Sequence, residues 1–223
     1  MNKKFTYKEI GPASWYQYEL SDRNTPKTFI VSDNLTTLNV VNGEDNGIKQ
    51  MITDVDNIGE EITELESKCF KGCPNLTSIN LPTTLQIIND EAFKECYKLS
   101  SFKDDVFNMP MYMGDSVFEN CDFRKINIKS DISGYDNTMM EINSRIFANN
   151  KKLTNVNMDN IIIGENMFEN CSSLSNITFS NNSYPIYTKK EGFKKCDNLL
   201  SLTIPNVSSY YDLNDLFLKG SNV

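Results

Sequence analysis

Residues 70–88 read FKGCPNLTSINLPTTLQII, which reduces to F-x2-C-x2-L-x2-I-x-L-P-x2-L-x2-I. The same frame returns along the chain, for example as Phe168, Cys171, Leu174, Ile177 and Phe179. Eight anchor phenylalanines carry it, at positions 29, 70, 93, 118, 147, 168, 193 and 217. A unit that returns about every two dozen residues predicts a solenoid, in which successive coils stack and share one core.

Each part of the unit has an expected structural role. The apolar residues of the L-x2-I-x-L segment alternate with polar ones, which is typical of a half-buried strand, and equivalent strands should pair in parallel. Residues such as 89–93 resemble helix starts and predict one α or 3-10 turn that delivers each Phe inward. The phenylalanines should then stack as a spine. Apolar residues five positions before a Phe should pack beside it: Leu65, Ile88, Met113, Ile142 and Ile163.

Some coils depart from the pattern. Asn150 stands where other coils have Cys, and Asp104 replaces the second apolar strand residue of its coil. The coils that begin at Phe29 and Phe118 are longer than the others. We expect these coils to be irregular or bulged.

The pattern resembles the leucine-rich repeats of the BspA-like, or Treponema pallidum, class. The resemblance covers about residues 29–223, and its most specific feature is Cys three positions after Phe in five coils. It implies an α/β solenoid: a leucine-rich repeat with a parallel sheet on the concave face and short helical turns or irregular structure on the convex face. It also implies a binding role, because the family is associated with adhesion and surface proteins.

Composition narrows the possible functions. The 22 Lys and Arg against 30 Asp and Glu give a net charge of -8, which disfavours a nucleic-acid partner. Histidine is absent, so the commonest general base and metal ligand is missing. No run of 18 apolar residues and no signal peptide occur, so neither membrane insertion nor export is predicted. The expected location is the cytoplasm or a larger assembly, unless the chain was cut from a secreted protein.

The six cysteines could suggest a zinc site, especially at Cys69 and Cys73. Five of the six, however, fall one per coil at the same place in the repeat. Buried thiols that donate weakly to turn carbonyls explain this spacing better, and without an export signal they should be reduced. We therefore predict no metal and no cofactor.

Residues 44–66 contain eight acids and one base. They do not fit an EF-hand calcium loop, because Ile58 and Leu65 occupy ligand positions. The interpretation is a solvated acidic insertion at about residues 42–64, with cation binding and docking of a basic partner as alternatives.

The outward residues of the strands form a candidate binding surface. They are small, polar and mostly uncharged, and no aromatic platform for sugars or bases occurs among them. Such a surface suits a hydrogen-bonded interface with a protein partner, but a solvent-exposed sheet needs the same residue types. The candidates are Asn80, Lys103, Lys125, Asn127, Lys129, Asn155, Asn157, Asp159, Asn176 and Thr178.

The two ends of the chain are further candidates. Residues 1–28 hold the only Trp and are expected to form a capping hairpin on a solenoid of about eight coils at 29–223. The last coil opens near residue 217 and stops before its strand, so a partner or a second copy covers this end or the chain is truncated. The end-docking candidates are Trp15, Tyr16, Tyr18, Leu216 and Phe217.

The resulting functional prediction is a non-catalytic protein-protein interaction module that presents a rigid repeat surface. The alternative is a structural or adhesion component of a larger assembly that docks through its ends. An enzyme is disfavoured, because the only adjacent acids near the predicted sheet are Asp104 and Asp105.

Overall fold

The computed structural model describes residues 62–130, 141–159, 162–180 and 191–203, and the strand backbones at 3–6, 27–30, 37–38 and 52–55. Within these residues the single helical element is a 3-10 turn, Lys103–Asp105. None of their helical structure is long and apolar enough to cross a membrane. The strands are β1 (Lys3–Thr6), β2 (Lys27–Ile30), β3 (Thr37–Leu38), β4 (Ile52–Val55), β5 (Glu64–Leu65), β6 (Ser78–Ile79), β7 (Ile87–Ile88), β8 (Ser101–Phe102), β9 (Val106–Asn108), β10 (Tyr112–Met113), β11 (Lys125–Lys129), β12 (Glu141–Ile142), β13 (Asn155–Asp159), β14 (Asn176–Phe179) and β15 (Ser201–Thr203).

The described strands form three parallel sheets of five strands each. Two sheets are ordered β1-β2-β4-β6-β8 and β9-β11-β13-β14-β15. Six of their strands were predicted from the L-x2-I-x-L segments: β6, β8, β11, β13, β14 and β15. Leu38, predicted for such a strand, lies in the third sheet, opposite Leu65. The third, ordered β3-β5-β7-β10-β12, contains the apolar residues that precede each Phe by five positions, such as Ile88 and Met113. The predicted parallel-sheet solenoid is confirmed, and most coils contribute strands to two of its sheets.

The pairing register corrects the position of Phe29 in the repeat. Phe29 pairs with Phe5 on one side and with Val55 on the other, and Val55 in turn pairs with Ile79. Phe29 therefore occupies the strand position of Ile79, and its assignment as an anchor like Phe70 was wrong. The sequence does not settle this position, because a Phe fits both the anchor position and the strand position of a degenerate coil. Only the pairing with neighbouring strands distinguishes these two positions.

The same register changes the interpretation of the N-terminal part. Strand β4 lies within the predicted acidic insertion at 42–64 and pairs in parallel with β2 and β6, so this stretch contributes a coil to the solenoid. The boundary predicted after residue 28 falls inside strand β2. This strand pairs with β1, so the sheet extends into the predicted capping segment. The predicted hairpin partner at 15–18 and the incomplete coil near residue 217 lie outside the described residues.

The anchor phenylalanines stack as the sequence predicts. Neighbouring rings are nearly parallel, with centroids 5.1 to 5.5 Å apart and interplanar angles of 6 to 12°. These distances indicate offset stacking, the geometry that aromatic pairs prefer over a direct sandwich. All of these rings are fully buried: Phe70, Phe93, Phe118, Phe147, Phe168 and Phe193.

The segment that carries each Phe is a turn and not the predicted helical turn. Around Phe93, both Glu91 and Glu95 have positive φ, at 56° and 63°. The N–H groups of these three residues donate to carbonyls of the following coil at 2.8 to 2.9 Å, and the same arrangement surrounds Phe118 and Phe147. The N–H groups of Lys94 and Cys96 donate within the turn, to the carbonyls of Glu91 and Phe93. Hydrogen bonds to the next coil thus alternate with bonds inside the turn, and together they replace the ladder of a helix.

The cysteine position of each coil supplies a buried donor. Each Sγ donates to the carbonyl of the Phe in the preceding coil at 3.2 to 3.3 Å, and Asn150 donates in the same way from Nδ2 to the Phe118 carbonyl at 2.9 Å. The interpretation of the cysteines as buried structural thiols is therefore confirmed. The cysteines with this bond are Cys96, Cys121, Cys171 and Cys196.

Candidate protein-binding surface

The central part of the candidate surface lies on strands β11, β13 and β14. The core side of these strands is formed by buried apolar residues such as Ile126, Val156 and Ile177. Because side chains alternate between the two faces of a sheet, the polar residues between them point away from the core. We call this set the polar sheet face: Lys125, Asn127, Lys129, Asn155, Asn157, Asp159, Asn176 and Thr178.

Register places the polar side chains in rows that run from coil to coil. Asn127 pairs with Asn157, and Asn157 pairs with Thr178, so amide and hydroxyl groups stand side by side across three strands. Asn127 Nδ2 donates to the Asp105 carbonyl at 3.0 Å, which fixes the first amide of the row. Rigid strands therefore hold these groups in a regular array.

Two acceptors of the polar sheet face have no partner among the described residues. They are Oδ1 of Asn157 and Oδ1 of Asp159, and both atoms are shielded from solvent. A polar atom without water or a hydrogen-bond partner is costly in free energy. Because both atoms are shielded, they do not form part of the exposed surface of the polar sheet face.

Charge is uneven across the polar sheet face. Lys125 and Lys129 are exposed on β11, and Lys129 pairs in register with Asp159. The next strand, β14, presents only uncharged polar residues, Asn176 and Thr178. The face therefore combines a basic edge with an amide and hydroxyl centre.

Two predicted residues, Asn80 and Lys103, lie apart from this face. Lys103 was expected on a strand, but the structure places it in the 3-10 turn, where Asp104 and Asp105 have φ of 57° and 56°. The turn separates the sheet that ends at β8 from the sheet that begins at β9. Phe107 pairs with Ile128 and so takes the apolar strand position that the repeat pattern assigns to Asp104. Two adjacent Asp residues disfavour a strand, which is the physical reason for the bulge.

The end-docking candidates cannot be placed on this structure. Trp15, Tyr16, Tyr18, Leu216 and Phe217 lie outside the described residues. The structure thus brings together eight of the ten predicted sheet residues.

Sequence reasoning missed an ionic ladder beside the Phe turns. Lys94 Nζ lies 3.1 Å from Glu91 and 3.2 Å from Glu119, and Arg145 Nη2 lies 2.7 Å from Glu119. Arg145 also contacts Glu169. The ladder residues stand two before or one after an anchor Phe, so tallying charge by repeat position would have revealed them. The ionic ladder consists of Lys71, Glu91, Lys94, Glu119, Arg145 and Glu169.

Glu119 is the buried centre of the ionic ladder, with 7% of its side chain exposed. Burial by itself would raise the pKa of this carboxyl group. Hydrogen bonds from Arg145 and Ser116, together with the charge of Arg145, outweigh burial and lower the pKa of Glu119 to about 2. The carboxylate therefore stays charged at any physiological pH and joins neighbouring coils.

The described residues show no arrangement suited to metal binding. Among them, no group of three or more His, Cys, Asp or Glu side chains could hold an ion. Burial raises the pKa of the Cys121 and Cys171 thiols, and it raises the pKa of Cys196 to about 12. These thiols are protonated at neutral pH, which makes them poor nucleophiles and poor ligands.

Comparison with known proteins agrees with the repeat. The family described as "BspA type Leucine rich repeat region" matches residues 50–137 and 131–222, in six copies. No curated protein sequence matches the chain.

Two solved structures of bacterial leucine-rich repeat proteins share the fold. The T. pallidum leucine-rich repeat protein is 20% identical, with a TM-score of 0.58 over 86% of this chain and 91% of its own. A Eubacterium ventriosum leucine-rich repeat protein is 16% identical, with a TM-score of 0.51 over 90% of this chain and 61% of its own. A Bacteroides ovatus protein of the same kind is 24% identical with a TM-score of 0.45, and the 70% of this chain that matches spans 44% of its length.

Proposed function

The chain belongs to the BspA-type leucine-rich repeat family, and from this premise we propose that it is a non-catalytic module whose polar sheet face binds a protein partner. Repeat proteins of this kind are generally interaction or surface-adhesion modules and are generally non-catalytic. The observation that carries the proposal is the in-register row of Asn127, Asn157 and Thr178.

The row suits recognition of another polypeptide for two reasons. Its amides and hydroxyls offer both donors and acceptors, as peptide groups and polar side chains require. Its spacing is set by parallel strands, so little conformational entropy is lost when a partner binds.

A comparison of matched variants tests this proposal. The double variant Asn127→Glu with Asn157→Glu adds two charges to the row and leaves the buried side of the strands unchanged. A control, Tyr97→Glu with Asn198→Glu, adds the same charge at two exposed turn residues outside the strands. Wild type and both variants would be used for quantitative affinity capture from the native source.

We expect a stoichiometric protein partner that wild type and the control retain and the double variant loses. Retention of the same partner by all three proteins would contradict the assignment of the polar sheet face. Circular dichroism of both variants would verify that the solenoid remains folded.

A further inference from the structure

Among the described strands, the break between the sheet that ends at β8 and the sheet that begins at β9 leaves one edge of each of these two strands without a sheet partner. Strand β8 ends the first sheet and β9 begins the second, although both belong to the same coil. The 3-10 turn between them carries Asp104 and Asp105 at positive φ. The chain therefore leaves the line of the first sheet before it enters the second.

Strand β9 pairs on one side only, with β11. The Met109 N–H that follows β9 donates to the Lys129 carbonyl at 2.7 Å. Peptide groups alternate in direction along a strand, so the N–H of Asn108 and the C=O of Val106 point the opposite way, toward residues 80–82. In the described part of the chain no sheet pairing joins β9 to those residues.

A proline accounts for part of this missing pairing. Pro82 follows the first-sheet strand of the preceding coil and has no N–H to donate. The coil containing Pro82 therefore cannot continue a complete ladder against β9.

A cleft lies along this unpaired edge. A cavity of about 150 Å³ is lined by Leu81, Phe102 and Asp104 and by β9 itself. A second cavity of about 380 Å³ is lined by residues 82–86 and 108–111 and shares Pro82, Thr83 and Asn108 with the first. The larger cavity includes the side chains of Met109 and Met111, and Met adapts readily to apolar groups of different shape.

The turn at the mouth of the cleft carries one net negative charge. Lys103 and Asp104 line the smaller cavity and are exposed, and Asp105 is exposed beside them. Lys103 already has an interaction partner. With a net charge of -8 on the whole chain, the cleft should favour a cationic ligand.

We propose that this cleft binds an extended peptide segment of a protein partner that carries a Lys or Arg next to an aliphatic residue. The peptide backbone accepts a hydrogen bond from the Asn108 N–H and donates one to the Val106 C=O, as in strand addition to a sheet edge. The aliphatic side chain enters the larger cavity, and the base lies near Asp104. The inference rests on the proposed function, because it assumes an interaction module, but it uses a different surface.

The test uses the full chain and a defined peptide library. Random decapeptides displayed on phage would be selected on the wild-type protein. The selected peptides would be synthesised with a fluorescent label, and their affinities measured by fluorescence anisotropy. We expect a consensus with a base beside Leu, Ile or Met, and no consensus or no binder would overturn the proposal.

Two substitutions at one position isolate the backbone contact. Asn108→Pro removes the N–H that points into the cleft but leaves the Met109 donor to β11, whereas Asn108→Ala retains the N–H and removes the side chain. We expect the Pro variant to bind about tenfold more weakly and the Ala variant to bind within about twofold of wild type. Equal affinities for the two variants would overturn the backbone contact.

A second measurement changes the peptide and leaves the protein intact, so it remains informative if Asn108→Pro does not fold. N-methylation of successive peptide residues should weaken binding strongly at alternate positions, because only every second N–H of an added strand faces β9. Equal effects at all positions would refute strand addition. Asp104→Asn should weaken binding and reduce its salt dependence.

Two controls separate this proposal from its alternatives. Thr178→Glu changes strand β14, which does not pair with β9, and should leave peptide affinity unchanged. A failure of the polar sheet face proposal can therefore be distinguished from a failure of the cleft proposal. Sedimentation of wild type and Asn108→Pro tests for a second copy in the cleft. If only wild type forms a dimer and no peptide is selected, the occupant of the cleft is a second copy of this chain and the peptide proposal is wrong.

Discussion

Replacement of Glu119 by Gln would remove the central charge of the ionic ladder and preserve the shape of the side chain. The folded protein holds the pKa of Glu119 at about 2, against an ordinary value of 4.5. A difference of this size corresponds to about 3 kcal/mol of stability at neutral pH. Because the side chain is almost fully buried, solvent screening reduces this figure little.

The sign of the pH dependence follows from the lowered pKa. The unfolded chain binds a proton near pH 4.5, whereas folded Glu119 does so only near pH 2. The stabilisation is therefore complete above the higher value and is lost as the pH falls from about 4.5 to about 2. The Glu119→Gln variant should be less stable than wild type at pH 7 and nearly equal to it at pH 2.

Urea unfolding monitored by circular dichroism between pH 2 and pH 7 measures this difference. Glu165→Gln is the matched control, because Glu165 is exposed and should show little difference at any pH. A Glu119→Gln penalty that stays constant over the whole range would refute the argument from ionisation. A penalty below about 0.5 kcal/mol at pH 7 would show that the ladder acts as an ordinary exposed ion pair.

Three further predictions concern the core. Asn150→Cys should keep the free energy of unfolding within about 1 kcal/mol of wild type, because a thiol supplies the donor that the other coils have. Asn150→Ala should lower it by about 1 to 3 kcal/mol, because the Phe118 carbonyl loses that donor. Chemical denaturation compares the two variants. Phe147→Ala should destabilise by about 3 to 5 kcal/mol, since its ring stacks on Phe118 and Phe168, and an effect below 1 kcal/mol would contradict the spine. The thiols of Cys121 and Cys171 should resist Ellman's reagent at pH 8 until the protein is unfolded, because burial raises their pKa; rapid labelling of the native protein would show that they are accessible.

The repeat could be predicted from the sequence, because a single period sets both the packing of the core residues and the pairing of the strands. The stacked Phe rings and the buried Cys donors follow from residues that recur at the same place in each coil. The parallel sheet follows because equivalent strands in successive coils must lie side by side. Asn150 fits for the same reason, since an amide can donate where a thiol donates.

Features that depend on backbone conformation were harder to predict from the sequence. The positive φ values at Glu91 and Glu95 arise because the neighbouring coil offers acceptors, which no local propensity records. Phe29 was misplaced because its position depends on pairing with Phe5 and Val55. The ionic ladder joins coils through pairs more than twenty positions apart, so these pairs become visible only when residues are compared by their position in the repeat.

The polar sheet face was predictable in outline, because strand alternation alone turns Asn127 and Asn157 outward. An irregular coil was expected at Asp104, and the structure has one there, but the sequence does not show the turn that the two adjacent acids form. The cleft beside β9 exists because of that turn and could not have been placed from the repeat pattern.

Photo-crosslinking from the polar sheet face tests the central claim most directly. Benzoylphenylalanine would replace the exposed Thr178 in one protein and the exposed Tyr97, outside the strands, in another. After irradiation in extracts of the native source, we expect a discrete crosslinked partner from position 178 that is much weaker or absent from position 97. Crosslinks of equal yield from both positions, or a partner captured only from position 97, would contradict it.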